Sequence, residues 1–287
     1  MRTRFTVLIP AIALATALTA CGDSGPSKSS FTTKADAACQ PGNATISGAA
    51  KPTNGPQVVT AAGGAATTID AQVGVLRAMK MPGGKDKTQI GGIISAIADV
   101  SAPATALKDA AGKNDNVAMA KAVVDLQAKA DAASTQAQAY GLTQCGTGLK
   151  PAVANISDGA RTILKSAYVT SSAALCRNAT SKADAVAPPG TSAASIGKFF
   201  DAELAISTKL AADLRALPVP PGDEGTVNDL LGAFDNLNAK AKDITAAAKA
   251  NNMKLVGALS SELDVADTAL NAKFDAYGLT VCGTSGI

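Results

Sequence analysis

An eight-residue string occurs twice in this chain, as AYGLTQCG from Ala139 to Gly146 and as AYGLTVCG from Ala276 to Gly283, an offset of 137 positions. Each copy has a cysteine upstream, Cys39 and Cys176, so Cys39 to Cys145 and Cys176 to Cys282 span the same 106 residues. A duplication of that length predicts two copies of one module and excludes any fold that cannot be built twice in 287 residues. The apolar positions obey the same offset. Ile90, Ile93, Ile94 and Ile97 fall on Val227, Leu230, Leu231 and Phe234, Leu107 on Ile244, and Leu126 on Leu263. Leu76-Arg77-Ala78-Met79 matches Leu214-Arg215-Ala216-Leu217 at 138, so one residue is absorbed near the following break, where loops accept insertions.

Within a copy the apolar residues recur at helical spacing and never alternate strictly over long spans. The expected segments of the first copy begin with a short helix around Cys39, followed by an irregular link, because Pro41, Gly42, Gly48, Pro52, Gly55 and Pro56 interrupt it. A helix then runs from about Val58 to Met79. The next starts behind Thr88 as N-cap, carries the isoleucine stripe on to Val100, and is kinked or divided by Pro103. Val117 to Tyr140 is the last, stopped by Gly141. The second copy repeats these marks at Ala160 to Ala187, Ser195 to Leu217 and onward past Pro218 to Glu224. The fold class expected is all-α: two tandem four-helix-bundle-like repeats, residues 34–147 and 160–284, joined by a connector at Gly146 to Gly159.

Four helices place the first and last ends of a bundle side by side, which brings Cys39 toward Cys145 and Cys176 toward Cys282. Four cysteines allow three complete pairings; the matched positions favour the two within modules. Each bridge would close a loop of roughly a hundred residues, worth about 4–5 kcal/mol on a chain-entropy estimate. That matters in a chain whose apolar content is largely alanine, with six Phe, three Tyr and no Trp. The aromatics are uneven. Ala137 becomes Phe274 in the second copy, which also holds Tyr168, Phe199, Phe200 and Phe234, so its core is expected to be the fuller by about 1–3 kcal/mol. Tyr140 and Tyr277, each just before a glycine, are expected to lock the helix end by packing or hydrogen bonding rather than to serve as duplicate binding residues, the ring covering the helix exit and the hydroxyl free to meet a nearby polar group.

The first twenty residues read as an export signal, with Arg2 and Arg4 ahead of a short apolar run, Phe5 to Leu18. The sequence Leu18-Thr19-Ala20-Cys21-Gly22 resembles the lipobox of bacterial lipoproteins, which implies cleavage before Cys21 and its lipidation (palmitate among the acyl groups). Gly22 to Thr33 reads as a tether, so residues 21–33 would link anchor to bundle. With its Pro-Pro-Gly-Asp helix break at Pro220 to Asp223 and the terminal Tyr-Gly-Leu-x-x-Cys-Gly, the whole chain resembles the alanine-rich lipoproteins and small secreted proteins of high-GC Gram-positive bacteria, of the actinobacterial type. The first copy departs from that break, with Met81-Pro82-Gly83-Gly84 in its place. The resemblance implies an address, the extracytoplasmic face of the cell membrane, and a helical scaffold; it implies no ligand.

Chemistry finds little support. There is no histidine, which excludes a histidine-dependent triad, and no CxxC or phosphate-loop pattern. No metal or cofactor site is expected. A net charge of +3, about +1 without Arg2 and Arg4, carries no basic stripe for nucleic acid. Asp223, Glu224, Glu262, Asp264 and Asp267 read as turn or solvated-face residues. Phe199, Phe200 and Phe234 are the candidates for a groove or contact surface. The expected function is that of a noncatalytic cell-envelope lipoprotein acting as a structural or protein-interaction module, with an envelope protein as partner. The alternative is a small-molecule or lipid-binding module with an apolar pocket in or between the bundles. A cavity with convergent polar groups favours the second, and solid cores with an exposed apolar face favour the first.

Overall fold

The computed structural model describes residues 25–284, the side chains of Gly146 and Thr147 excepted; Cys21 and the expected signal lie outside the described residues. The chain is all-helical, with no strand among the described residues. In the first copy α1 (Lys28–Ser47), α2 (Gly55–Ala78), α3 (Lys85–Ala98), α4 (Ser101–Gly112) and α5 (Asn116–Tyr140) are followed by a short α6 (Gln144–Thr147). α7 (Leu149–Ala183) leads into α8 (Ala193–Arg215), α9 (Glu224–Lys249), α10 (Met253–Tyr277) and a short α11 (Thr280–Thr284).

Local chemistry explains most boundaries. Asn54, Asp115, Ser192 and Asn252 each accept a hydrogen bond from a first-turn backbone N–H, capping α2, α5, α8 and α10. Gly141 and Gly278 end α5 and α10 with φ of 102° and 101°, where a side chain would be strained. Pro103 sits in the first turn of α4, after the helix breaks at Asp99 and Val100. Two expectations need correction. α3 starts at Lys85 behind Gly84, φ 63°, with no side-chain cap, rather than behind Thr88. α1 is no short helix: it opens at Lys28, inside the expected tether, and continues through Pro41 and Gly42 to Ser47. Phe31, Ala35, Cys39, Asn43 and Ile46 form an unbroken buried stripe through it, and Gln72 Nε2 donates to the Cys39 carbonyl at 2.7 Å. Tertiary contacts of that kind offset the amide that Pro41 lacks.

Lys85–Gly112 is long and apolar enough, by length and composition, to cross a bilayer. In the bundle Ile90, Ile93, Ile94, Ile97, Val100 and Leu107 are all buried in the first core.

Both disulfides form within copies, Cys39–Cys145 and Cys176–Cys282. Both copies also carry the same aromatic lock at the end of their last long helix. Lys28 Nζ sits 4.2 Å from the Tyr140 ring centroid and Lys165 Nζ 4.4 Å from that of Tyr277, and the two pairs are 137 residues apart at both members. The second lock is closed, because the Tyr277 hydroxyl donates to Asp223 Oδ2 at 2.8 Å. In the first, Asp86 holds the aligned position, yet the buried Tyr140 hydroxyl has no hydrogen-bond partner among the described residues.

The two copies are joined by helix rather than by a loop. Residues 148–159, outside both expected repeat ranges, are almost wholly the start of α7. Its first half buries Leu149, Ala152, Val153, Ile156 and Ala160 in the same core as α1 to α5; its second half adds Tyr168, Cys176 and Ala179 to the core of α8 to α10. Gly159 makes the seating close: a Cβ there would come within 2.6 Å of the Pro52 carbonyl oxygen. The first half of α7 thus lies between α5 on one side and α1 and α2 on the other, a fifth helix for the first bundle when α3 and α4 are counted as the one divided helix that they form.

Candidate functional site

The second bundle has no counterpart of that fifth helix among the described residues. In its place a groove of about 330 Å³ runs between the end of α7, α8, α9 and α10. Phe199, Phe200 and Leu204 from α8 form one wall, Leu237 and Ala241 from α9 the floor, and Leu263 from α10 the other wall. The two phenylalanine rings meet edge to face, centroids 5.4 Å apart. Ser207, buried, donates to Asn238 Oδ1 at 2.6 Å and is thereby satisfied within the groove.

The correspondence of groove and fifth-helix seat can be followed residue by residue. At the offset of 138, Phe200, Glu203 and Leu204 stand where the first copy has Ala62, Ala65 and Ala66. At 137, Leu263, Asp264 and Asp267 stand where it has Leu126, Gln127 and Ala130, and Asp184 where it has Ser47. Ala62, Ala65, Leu126 and Ala130 are at most 2 % exposed, sealed in one core with the first half of α7. Phe200, Glu203, Leu263 and Asp267 are only partly buried. The polar contacts of α7 fall on the same positions. Arg161 donates to Gln127 Oε1 at 2.5 Å and Asn155 Nδ2 to the Ser47 carbonyl at 3.4 Å. Gln127 and Ser47 are the counterparts of Asp264 and Asp184, so the groove is the α7 seat left open.

Its charge differs from the seat. Asp184, Glu203, Asp264 and Asp267 all line it, no lysine or arginine does, and none of the four joins an ion pair among the described residues. Partial burial holds the Glu203 carboxyl above its ordinary range, with the charge of Asp184 adding to it. Burial does the same for Asp267; the Asn271 amide at 2.9 Å pulls the other way and Asp264 pushes with the burial. Asp184 is also the C-cap of α7, an end whose dipole favours cations. The carboxylates are spread along the groove: among the described residues no three acidic or sulfur groups gather as a metal site would require.

Of the expected contact residues, Phe199 and Phe200 line the groove. Phe234 does not: it is 2 % exposed, packed edge to face on Phe274 at 6.0 Å, and belongs to the core. Its position matches Ile97 of the first stripe, which is equally buried, so the register already pointed inward. Sequence reasoning missed Asp184, Glu203, Leu204 and Leu263; it read Asp264 and Asp267 as solvated face, and Asp264 is exposed at the groove's edge while Asp267 is half-buried. The available signal was the change of four aligned neutral residues, Ser47, Ala65, Gln127 and Ala130, to acids.

Comparison of the chain with protein-family models, with curated proteins and with solved structures gives no match.

Proposed function

We propose that this protein is a noncatalytic interaction module of the cell envelope, held at the extracytoplasmic face of the membrane by lipid on Cys21, in which the second bundle receives a partner protein. The observation that carries the reading is the open groove in the second bundle at the place that α7 fills in the first. A seat that is covered by a protein helix in one copy is suited to a protein in the other. The first bundle then serves as a closed support, joined to the receptor bundle by the unbroken α7. The anchor rests on the lipobox-like sequence, and metabolic lipid labelling should disappear in Cys21→Ser.

The binding reading is tested by placing benzoylphenylalanine at position 199 in the full-length protein and irradiating intact cells. A discrete protein adduct, absent when the probe stands at the exposed Val117 of the first bundle, is expected. Adducts with lipid alone, or none, would overturn the reading. The volume of the groove also suits a small apolar molecule. Four carboxylates along it oppose fatty acids and anionic lipids, and so favour the protein partner.

A further inference from the structure

We infer that the groove of the second bundle receives a basic amphipathic helix, laid as the first half of α7 lies on the first bundle. The inference rests on the interaction reading above and names the element the partner presents.

The first bundle supplies the template. There the occupant is a helix with a narrow stripe of small and medium apolar residues, Ala152, Val153, Ile156 and Ala160, recurring every three or four positions. Its polar flanks carry Asn155 toward Ser47 and Arg161 toward Gln127. The second bundle keeps the apolar part of this seat, in Leu204, Leu237, Ala241 and Leu263, and widens its use with Phe199 and Phe200. Its flanks have changed in one direction only, from Ser47, Ala65, Gln127 and Ala130 to Asp184, Glu203, Asp264 and Asp267. An occupant with neutral flanks would cover carboxylates along the groove without supplying a counter-charge as water is expelled, at a cost that is greatest for the half-buried Glu203 and Asp267. Lysine or arginine on both flanks satisfies them, and the long stems of those residues cover apolar wall on the way. Arg161 shows the geometry for one flank: its counterpart on a partner helix meets Asp264. A cation at the position of Asn155 meets Asp184, at the cation-favouring end of α7.

The probe is a peptide with the sequence of residues 149–164 carrying Asn155→Lys, stapled across its solvent face because so short a helix is marginal alone. Fluorescence anisotropy with the full-length protein should show saturable binding that weakens with salt. Asp264→Asn with Asp267→Asn should weaken it at least about tenfold, the scale of the lost charge-assisted contact to Arg161 together with the loss of a second acid in the groove. Both changes lie on the second bundle alone, so exchange with the resident α7 would not respond to them. A peptide with Asn155→Glu and Arg161→Glu should not bind. Equal binding of that reversed peptide, indifference to the Asp264/Asp267 pair, or no binding by the basic peptide would each overturn the inference. Failure of the broader reading looks different. If the basic peptide fails while the position-199 probe still captures a protein through a non-helical or acidic segment, the interaction reading stands and the basic helix falls. If the position-199 probe yields no protein adduct and dodecyltrimethylammonium saturates the groove, both fall to a small apolar cation.

Discussion

The first bundle hides behind a fifth helix what the second leaves open, and the substitutions between them track that difference. Where α7 covers α2 and α5 the sequence is alanine: Ala62, Ala65, Ala66 and Ala130, small enough for a helix to lie close. Where no further helix among the described residues closes the groove between α8 and α10, the aligned residues are Phe200, Glu203, Leu204 and Asp267. Buried positions outside the seat do not diverge this way: Leu107 and Ile244, or Leu76 and Leu214, remain apolar and sealed. The aromatic enrichment of the second copy therefore has two origins. Phe234 and Phe274 fill its core, while Phe199 and Phe200 face the groove.

The largest expected effect comes from moving one residue of the groove into the seat. Ala130→Asp places an unpaired carboxylate under α7, at a site 1 % exposed, and should cost roughly 3–5 kcal/mol. The reciprocal Asp267→Ala should cost nothing or stabilise slightly. Chemical denaturation of the two variants checks this, and equal losses would show that the two faces are not equivalent sites.

Removing the disulfides separates the copies next. Replacement of either cysteine pair by alanine should lose about 2–4 kcal/mol, but the released ends should behave differently. In the first copy Asp36 accepts hydrogen bonds from Thr143 N and Oγ1, Gln144 N and Cys145 N, all between 2.8 and 3.1 Å, and Asn43 Nδ2 donates to the Gln144 carbonyl at 2.6 Å. In the second copy the aligned residues are Ala173 and Thr180. Amide exchange at Thr280 to Cys282 should therefore accelerate without Cys176–Cys282, while Thr143 to Cys145 stay protected without Cys39–Cys145. Matching acceleration at both ends would remove Asp36 from the account.

The hydroxyls of the two locks come third. Tyr277→Phe gives up the bond to Asp223 and should lose about 1 kcal/mol, whereas Tyr140→Phe removes a buried hydroxyl without a partner and should be neutral or stabilising. Thermal melts at one pH suffice, and a larger loss in Tyr140→Phe would break the distinction.

How much of this was legible follows from what periodicity records. The repeated octapeptide, the paired cysteines and the isoleucine stripe are local or regularly spaced, and they give the helices, the turn at Gly141 and the disulfide placement. Pro41 misled because its cost is local while the support for α1, from Gln72, from the Gln144 carbonyl that Asn43 bonds and from the cysteine bridge, is distant in sequence. The connector misled because residues 148–159 lie outside both copies of the repeat, so the repeat's register says nothing about their structure. Pro151 stands in the first turn of α7, where its missing amide is harmless, and Gly159 is a point of close packing. The groove was recorded only as a difference between aligned positions, Ser47 to Asp184 and Gln127 to Asp264, and means nothing until α7 is known to cover one side.

The smallest expected effect concerns that charge. Glu203 and Asp267 both sit above their ordinary carboxyl range in the folded protein, chiefly through burial. A carboxyl with a folded pKa raised above its unfolded value favours the fold while protonated. That contribution is complete below the unfolded values, near about 4 for such groups, and is lost as pH rises through the raised folded ones. At neutral pH the two groups therefore penalise the free protein. Glu203→Gln with Asp267→Asn should raise the thermal midpoint slightly at about pH 7 and leave it unchanged near about pH 3, where the native carboxyls are already neutral. Solvent screening of these half-open positions keeps the gain below those above. Titration of the aligned positions in the first bundle contributes nothing, since Ala65 and Ala130 do not ionise. A gain that persists at low pH would assign it to packing instead of charge, and a loss at neutral pH would show that the carboxylates stabilise the empty groove. In that case the second bundle would be complete as it stands, and its acids would not be waiting for a cation.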